Sequence, residues 1–463
     1  MSELLDTLDE ERLREWFVEQ RWFGSKTREI AHLNVLESVT LRAETPRLVL
    51  ALLEVRFPSG THEVYQVPIG VRPAAEGWSE RVIAEAGGQT FYDALVDPAH
   101  ARELLQLMRS GVDVPAGDGV LGFRWSGTAD QTPAAPVEVR PVGVEQSNSS
   151  IVFGDELILK AFRRVEPGVN PELELLRFLS ERDFPHIAPI AGWYQYEGRL
   201  MDATLGVLQA FLAGATDGWD LALDALSADP EAFLGSLHAL GVVTGELHTA
   251  LGSEASDPAF APEQPSTEAL AILTATIDEE IERIFVELPD LEALDPIRGR
   301  GQDVQERLQL LSHVGAGGRI IRTHGDYHLG QTMLAERGWV LLDFEGEPGR
   351  PISQRRLKRS PLRDVAGMLR SFGYAAAGSR ILRGTPAPEG WEDRARETFL
   401  AGYFEAVDSQ LLPPGQDATR KILAIFELEK ALYELRYELN NRPDWVAIPT
   451  AGIVRLLESN GGT

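Results

Sequence analysis

The chain has 463 residues, 43% hydrophobic and 25% charged, which is enough material for more than one hydrophobic core. Lysine and arginine number 44 against 71 aspartates and glutamates, and the formal net charge of −27 argues against nucleic acid or an anionic membrane as partner. There is no cysteine, which excludes disulfides, thiolate metal sites and cysteine nucleophiles.

The first segment, MSELLDTLDEERL, is acidic and helical and has neither the basic nor the apolar region of a secretory signal. No apolar run is long enough to cross a bilayer, so the expected location is the cytoplasm. RLVLALLEVRF and THEVYQVPIGV flank the turn PSG and predict a β-hairpin. FYDALVDPAHARELLQLMRSG reads as helical, and VPAGDG and GTADQTPAAP read as linkers. A second β-rich block starts near Val137, with two strands in SSIVFGDELILKAF joined at Gly154-Asp155. In NPELELLRFLSER, Asn170 suits the N-cap, Pro171 the first helical position and Glu172 the helix dipole. From about residue 210 onward the pattern is mostly helical. The order is therefore an N-terminal β/α cap, a small β-rich lobe and a large α-rich lobe.

The helical part is interrupted by HGDYHLGQTMLAERGWVLLDFEGEP, residues 324–348. A carboxylate at Asp326, an amide at Gln331 and a second carboxylate at Asp343 surround a loop and an apolar strand. Buried charge is costly unless it is paired or holds a metal. In phosphoryl transfer an aspartate orients the acceptor hydroxyl and takes its proton, while an amide and a second aspartate hold magnesium against the phosphates. An isolated HGD is equally well read as a capped loop. The full set, with Gln331 and a strand ending in DFE, is more specific.

Lys160, ending ELILK, occupies the place of a strand lysine that holds nucleotide phosphates. Leu173, Leu175, Leu176, Phe178 and Leu179 mark the buried side of the following helix. Glu172 falls near the centre of that side and Glu174 points away, which makes Glu172 the favoured partner of Lys160. EQSNSS, residues 145–150, stands where kinases place a glycine-rich loop, with Ser147 and Ser149 as candidates to cradle phosphates. On the helix at 422–441, Leu428, Leu432, Leu435 and Leu439 predict a buried stripe, and Lys430, Glu434, Tyr437 and Asn441 an opposite one. On periodicity that stripe reads first as a solvated face; Tyr437 followed by NNRPDW points instead to a ligand-facing surface, with Lys430 and Tyr437 the candidates for holding a sugar. His328 is read as supporting the loop or touching that sugar, and His238 and His248 as packing residues. The run RRLKR, 355–359, is read as a solvated or salt-bridged surface run rather than an anion site.

HGDYHLGQ followed by LLDFEGEP resembles the maltokinase group within the aminoglycoside-phosphotransferase-like kinases. VEQSNSSIVFGDELILKAFRRVEPGVNPELELLRFL resembles its nucleotide lobe, and RPISQRRLKRSPLRDVAGMLRSFGYAA and ELEKALYELRYELNNRPDWVAIP its C-lobe signatures. Together these cover most of residues 140–450, and the N-terminal cap is typical of the group. Wider relatives carry Asn at Gln331 and DFG-like or DxD-like ends at Asp343-Phe344-Glu345. Both departures are features of the maltokinase group, and they leave open whether Glu345 adds a metal contact. The implied fold is α+β, a bilobal protein-kinase-like fold. Its divisions are a cap subdomain (1–90), an intermediate subdomain completing the β-rich nucleotide-binding lobe (91–210) and an α-helical C-lobe (211–463). The resemblance places an adenine hinge near Gln209 and Phe211, and makes Asp364 a brace for the catalytic loop. The implied reaction moves the γ-phosphoryl of ATP, with Mg2+, to the anomeric hydroxyl of maltose. Its product, maltose 1-phosphate, would feed α-glucan and glycogen synthesis, with trehalose synthase a candidate partner. The alternatives are a kinase for glucosamine or an aminoglycoside, and a catalytically silent kinase-like scaffold.

Overall fold

A computed structural model describes residues 8–126, 137–142, 148–199, 201–266, 268–314 and 317–458. The chain divides into two compact units. One holds residues 1–181, 188–214 and 351–353, and the other holds 182–187, 215–350 and 354–463. No described helix is long and apolar enough to cross a membrane.

In the first unit, helix α1 (Glu10–Glu19) starts at Asp9, whose carboxylate accepts the Glu11 N–H at 3.1 Å. Its Trp16 and Phe17 join Trp22, Phe23 and Tyr65 in an edge-on aromatic cluster, the rings 5.3–5.7 Å apart. The cluster covers one face of a sheet built from β1 (His32–Arg42), β2 (Arg47–Arg56), β3 (His62–Pro73), β4 (Val82–Ala86) and β5 (Gln89–Asp93). The hairpin over PSG is present as β2 and β3. From Leu48 to Leu53 strand β2 is an unbroken apolar run because both its faces are buried. Val49, Ala51, Leu53 and Val55 meet the aromatic cluster, whereas Leu48, Leu50 and Leu52 enter a second core.

That second core is shared with a larger sheet. FYDALVDPAHARELLQLMRSG is only partly helical: Phe91 to Asp93 belong to β5, and helix α2 (Pro98–Ser110) begins after Asp97. VPAGDG is no linker, since β6 (Asp113–Ala116) pairs with β7 (Gly119–Trp125) as a hairpin. GTADQTPAAP lies outside the described residues. Strands β8 (Val139–Pro141), β9 (Asn148–Phe153), β10 (Leu157–Phe162), β12 (Ile190–Gly198) and β13 (Asp202–Ala210) complete the sheet in the order β6-β7-β12-β13-β10-β9-β8. Gly154 (φ 59°) makes the β9–β10 turn, where its missing Cβ permits a left-handed backbone. Between β10 and helix α3 (Pro171–Ser180) lies β11 (Arg164–Val165), which pairs with β3 of the first sheet.

The second unit is mostly helical: α4 (Gly218–Ala228), α5 (Pro230–Leu251), α6 (Ala269–Val286), α7 (Gly301–Ser312), the turn α8 (Ile352–Arg355), α9 (Leu362–Arg383), α10 (Trp391–Ala406), α11 (Gln416–Asn441) and α12 (Ala447–Glu458). Of α8, Gln354 and Arg355 belong to this unit, and Ile352 and Ser353 to the first. Helices α5 and α10 pack backbone against backbone. A Cβ on Gly245 would come within 2.7 Å of the Tyr403 carbonyl oxygen, and Gly241 and Gly402 are equally hemmed in. A small sheet of β14 (Thr216–Asp217), β15 (Thr332–Ala335) and β16 (Gly338–Leu341) carries the HGD loop at one end and Asp343 at the other.

Candidate active site

The HGD loop is held from below by Asp364. This buried carboxylate accepts the N–H groups of His324 at 2.8 Å and Gly325 at 3.0 Å, and His248 Nε2 lies 3.2 Å away. Burial opposes its charge, but the His248 bond and the backbone donors hold its pKa below the usual carboxylate value. Gly367, one turn along α9, lets the helix approach. A Cβ there would sit 2.6 Å from the Tyr327 carbonyl oxygen. The bracing role expected of Asp364 is present, and His248 is more than packing. Its Nδ1 lies 3.1 Å from the Tyr403 hydroxyl, so it links α10 to the loop. His238 is a surface residue, 3.3 Å from Glu405.

Asp326 and the metal candidates occupy the same loop system. His324 donates Nε2–H to the Leu342 carbonyl at 2.7 Å, and its Nδ1 accepts the Asp326 N–H at 3.4 Å. Asp343 adopts a left-handed backbone (φ 59°), uncommon for a residue with a Cβ, and its Oδ2 meets the Gln331 amide at 3.2 Å. Asp343 and Glu345 bring carboxylate oxygens within 4.8 Å of each other, and Glu345 also lies 3.7 Å from Arg355. Two carboxylates and an amide oxygen form a donor set that suits a hard divalent cation, with the Gln331 amide turned to present Oε1. His328 Nδ1 accepts the Gly330 N–H at 3.1 Å, and its Nε2 stands 4.0 Å from Asp326. Burial lowers the His328 pKa, so the ring is neutral at neutral pH.

Asp326 opens onto a cavity lined also by Glu347, Arg359, Arg363, Lys430 and Tyr433. Lys430 Nζ lies 3.6 Å from Asp326 and 3.9 Å from Glu347. Burial works against its charge, but those two carboxylates keep its pKa above the ordinary lysine value. Tyr437 does not line this cavity. It is 45% exposed, two turns beyond Lys430, with the Arg442 guanidinium 5.6 Å from its ring centre. The cavity reaches only the turn that carries Tyr433, a residue the sequence reading passed over although it shares the stripe. His328 likewise serves the loop and does not line the cavity. Glu434, expected on the open stripe, is buried because Arg370 neutralises it with bonds of 2.7 and 2.9 Å. RRLKR is largely paired, with Lys358 held by Glu263 and by two carbonyls, while Arg359 faces the cavity.

In the first unit Lys160 Nζ lies 2.8 Å from Glu172 Oε2, and Glu172 is 2% exposed at the first turn of α3. Asn170 caps that helix by accepting the Glu172 N–H at 2.8 Å. Residues directly opposite in an antiparallel ladder share a face. Lys160 pairs with Ser150 and Ile158 with Gln209, so Gln209 shares the lysine's face. Phe211 follows, its N–H bonded to the Glu156 carbonyl at 2.7 Å. Ser149 pairs with Ala161 and therefore lies on the other face, where its hydroxyl accepts Arg163 Nε at 2.6 Å. The side-chain phosphate contact expected of Ser149 is thus corrected: by the period-2 alternation it is Ser150, not Ser149, that shares the face of Lys160. Ser147 lies outside the described residues.

Known proteins place this arrangement. The maltokinase N-terminal cap domain matches residues 16–97, and the phosphotransferase enzyme family matches residues 138–407. The chain is 29% identical over 355 residues to a glucosamine kinase of Streptacidiphilus jiangxiensis, covering 70% of this chain and 75% of that one. It is 28% identical over 338 residues to a glucosamine kinase of Mycolicibacterium smegmatis, covering 70% and 81%. A solved glucosamine kinase superposes with a TM-score of 0.72 at 21% identity, covering 98% and 99% of the two chains. Another, in complex with glucosamine, ADP and inorganic phosphate, superposes with a TM-score of 0.69 at 20% identity, covering 96% and 98%. With a sheet-rich N-terminal region, a helical C-terminal region and a maltokinase-type cap, the chain belongs to the phosphotransferase enzyme family.

Proposed function

We propose that the protein transfers the γ-phosphoryl group of ATP to a sugar hydroxyl, with the anomeric hydroxyl of maltose as acceptor. The observation that carries this reading is the joined loop system: Asp326 positioned by His324 and Asp364, with Gln331 and Asp343 in contact beside it. Asp326 orients the acceptor hydroxyl and takes its proton as the new P–O bond forms and the bond to the ADP oxygen breaks. Gln331 and Asp343 would hold magnesium, which supplies charge neutralisation at the phosphates when bound. Lys160, oriented by Glu172, grips the nucleotide phosphates, and Gln209 and Phe211 form the adenine side.

Maltose is favoured over a cationic amino sugar by the cavity's charge. Five basic and four acidic side chains line it, although the chain as a whole is strongly acidic. Lys430 already satisfies Asp326, and Arg359 adds a further positive charge, which disfavours an ammonium group and suits hydroxyl acceptors. The second reading is glucosamine, supported by the names of the two relatives. Incubation with Mg-ATP and each of maltose, glucose, trehalose and glucosamine, with the product identified by 31P NMR, decides between them. An anomeric phosphate on maltose is expected. Efficient turnover of glucosamine alone would replace the first reading by the second.

A further inference from the structure

The cap sheet and the strand of Lys160 are one continuous construction. Lys160 lies on β10, which ends at Phe162, and two residues later Arg164 and Val165 pair with Tyr65 and Val64 on β3. Gln66 on β3 grips that junction twice. Its Nε2 donates to the Phe162 carbonyl at 2.7 Å and its backbone N–H to the Arg163 carbonyl at 2.9 Å. Its Oε1 accepts the Tyr194 hydroxyl at 3.1 Å. Arg163, 2% exposed, is held from the cap by Asp93 at 2.5 Å and by the Trp22 ring, 5.1 Å from the guanidinium. On the sheet side its Nε reaches Ser149, opposite Ala161. The Phe162 ring stands 5.8 Å from the Lys160 ammonium.

A buried ion pair gives little net stability, because desolvation offsets the attraction; its attested use is to fix one geometry. Cohesion here already has another source. Leu48, Leu50 and Leu52 of the cap share a core with Ile151, Leu157 and Leu159 of the larger sheet. We propose that Arg163 is a positioning residue for the nucleotide site, and that the cap, through Asp93 and Gln66, fixes the end of β10 and so the direction in which Lys160 is presented. The cap is then part of the nucleotide grip and not an appended module. This inference rests on the reading of Lys160 as the phosphate-holding lysine.

The test uses the full chain and measures Mg-ATP affinity by calorimetry beside steady-state kinetics. Asp93→Asn keeps the shape and removes the charge. It is expected to raise both the Kd and the KM for Mg-ATP about tenfold while the acceptor KM stays within about twofold. Gln66→Met, which keeps the side-chain length, should do the same and serves if Asp93→Asn does not fold. In a Glu172→Gln background, where the Lys160–Glu172 ion pair is already removed, Asp93→Asn should add less than about twofold, as expected of residues acting through one group. A lowered thermal midpoint with unchanged Mg-ATP affinity in both variants overturns the proposal, and so does a full multiplicative effect in the Glu172→Gln background. Normal Mg-ATP binding by Lys160→Met would remove the underlying reading instead. Weakened binding there, with none in Asp93→Asn and Gln66→Met, sinks the cap's role alone.

Discussion

Replacing Asp326 by Asn separates chemistry from fold. The carboxylate is 3.6 Å from Lys430, an attraction of about 5 kcal/mol before solvation costs at an effective dielectric of ~20. Glu347 stands 3.9 Å from the same ammonium and supplies a nearly equal attraction. Lys430 therefore keeps a counter-charge in Asp326→Asn, and stability should change by less than about 1 kcal/mol. Transfer should suffer far more. An asparagine orients a hydroxyl but takes no proton, so kcat should fall by about 10²–10⁴, or ~3–5 kcal/mol of barrier. Gln331 and Asp343 are untouched, so Mg-ATP affinity should be preserved. The assay is acceptor-dependent ADP release, paired with thermal unfolding and calorimetric Mg-ATP titration. A kcat within tenfold of the unaltered enzyme would refute the assignment, and so would a loss explained wholly by weaker Mg-ATP binding.

Tyr433→Ala should raise the acceptor KM several-fold while Tyr437→Ala leaves it unchanged; the reverse order in steady-state kinetics would return the sugar contact to Tyr437. Arg370→Met should lower stability by about 3–5 kcal/mol in denaturant unfolding, because it leaves Glu434 buried without its partner. His100 is buried, and burial pushes its pKa down to about 4 from an ordinary 6.5. The folded state then binds fewer protons than the unfolded one between those values, so stability falls as pH drops through that window, by at most ~3 kcal/mol. His100→Phe should flatten that part of the profile, and an unchanged slope would show that the ring is not the cause. Stripping divalent cations with EDTA should abolish transfer, and added magnesium should restore it; turnover that persists in the chelator would remove the metal role from Gln331 and Asp343.

What the sequence made legible were features carried by short-range spacing. Asp326, Gln331 and Asp343 fall on one loop and the end of one strand, and the contact of Gln331 with Asp343 follows from that connectivity. The pairing of Lys160 with Glu172 followed from the helical period of α3 and its cap at Asn170. The missing parts depend on distant partners. Asp364 meets His248 across 116 residues, and a histidine on an apolar helix gives no sign of a carboxylate waiting for it. Arg370 draws Glu434 inward in the same way, against the pattern of α11. Ser149 was misplaced for a local reason: strand alternation was available, but the ladder register that decides the face was not. VPAGDG looked like a linker because its glycines and proline suit loops and tight hairpins alike.

The glycine contact between α5 and α10 sets a limit on how this molecule can vary. With Gly241, Gly245 and Gly402 pressed against opposing main chain, neither helix can slide or rotate without the other, so these three columns in a saturation-mutagenesis map should be almost empty even though they touch no ligand. Because His248 on α5 and Tyr403 on α10 meet beneath Asp364, the same immobility reaches the HGD loop. Attempts to retune this enzyme by loosening that pair would blunt it before they altered its choice of acceptor.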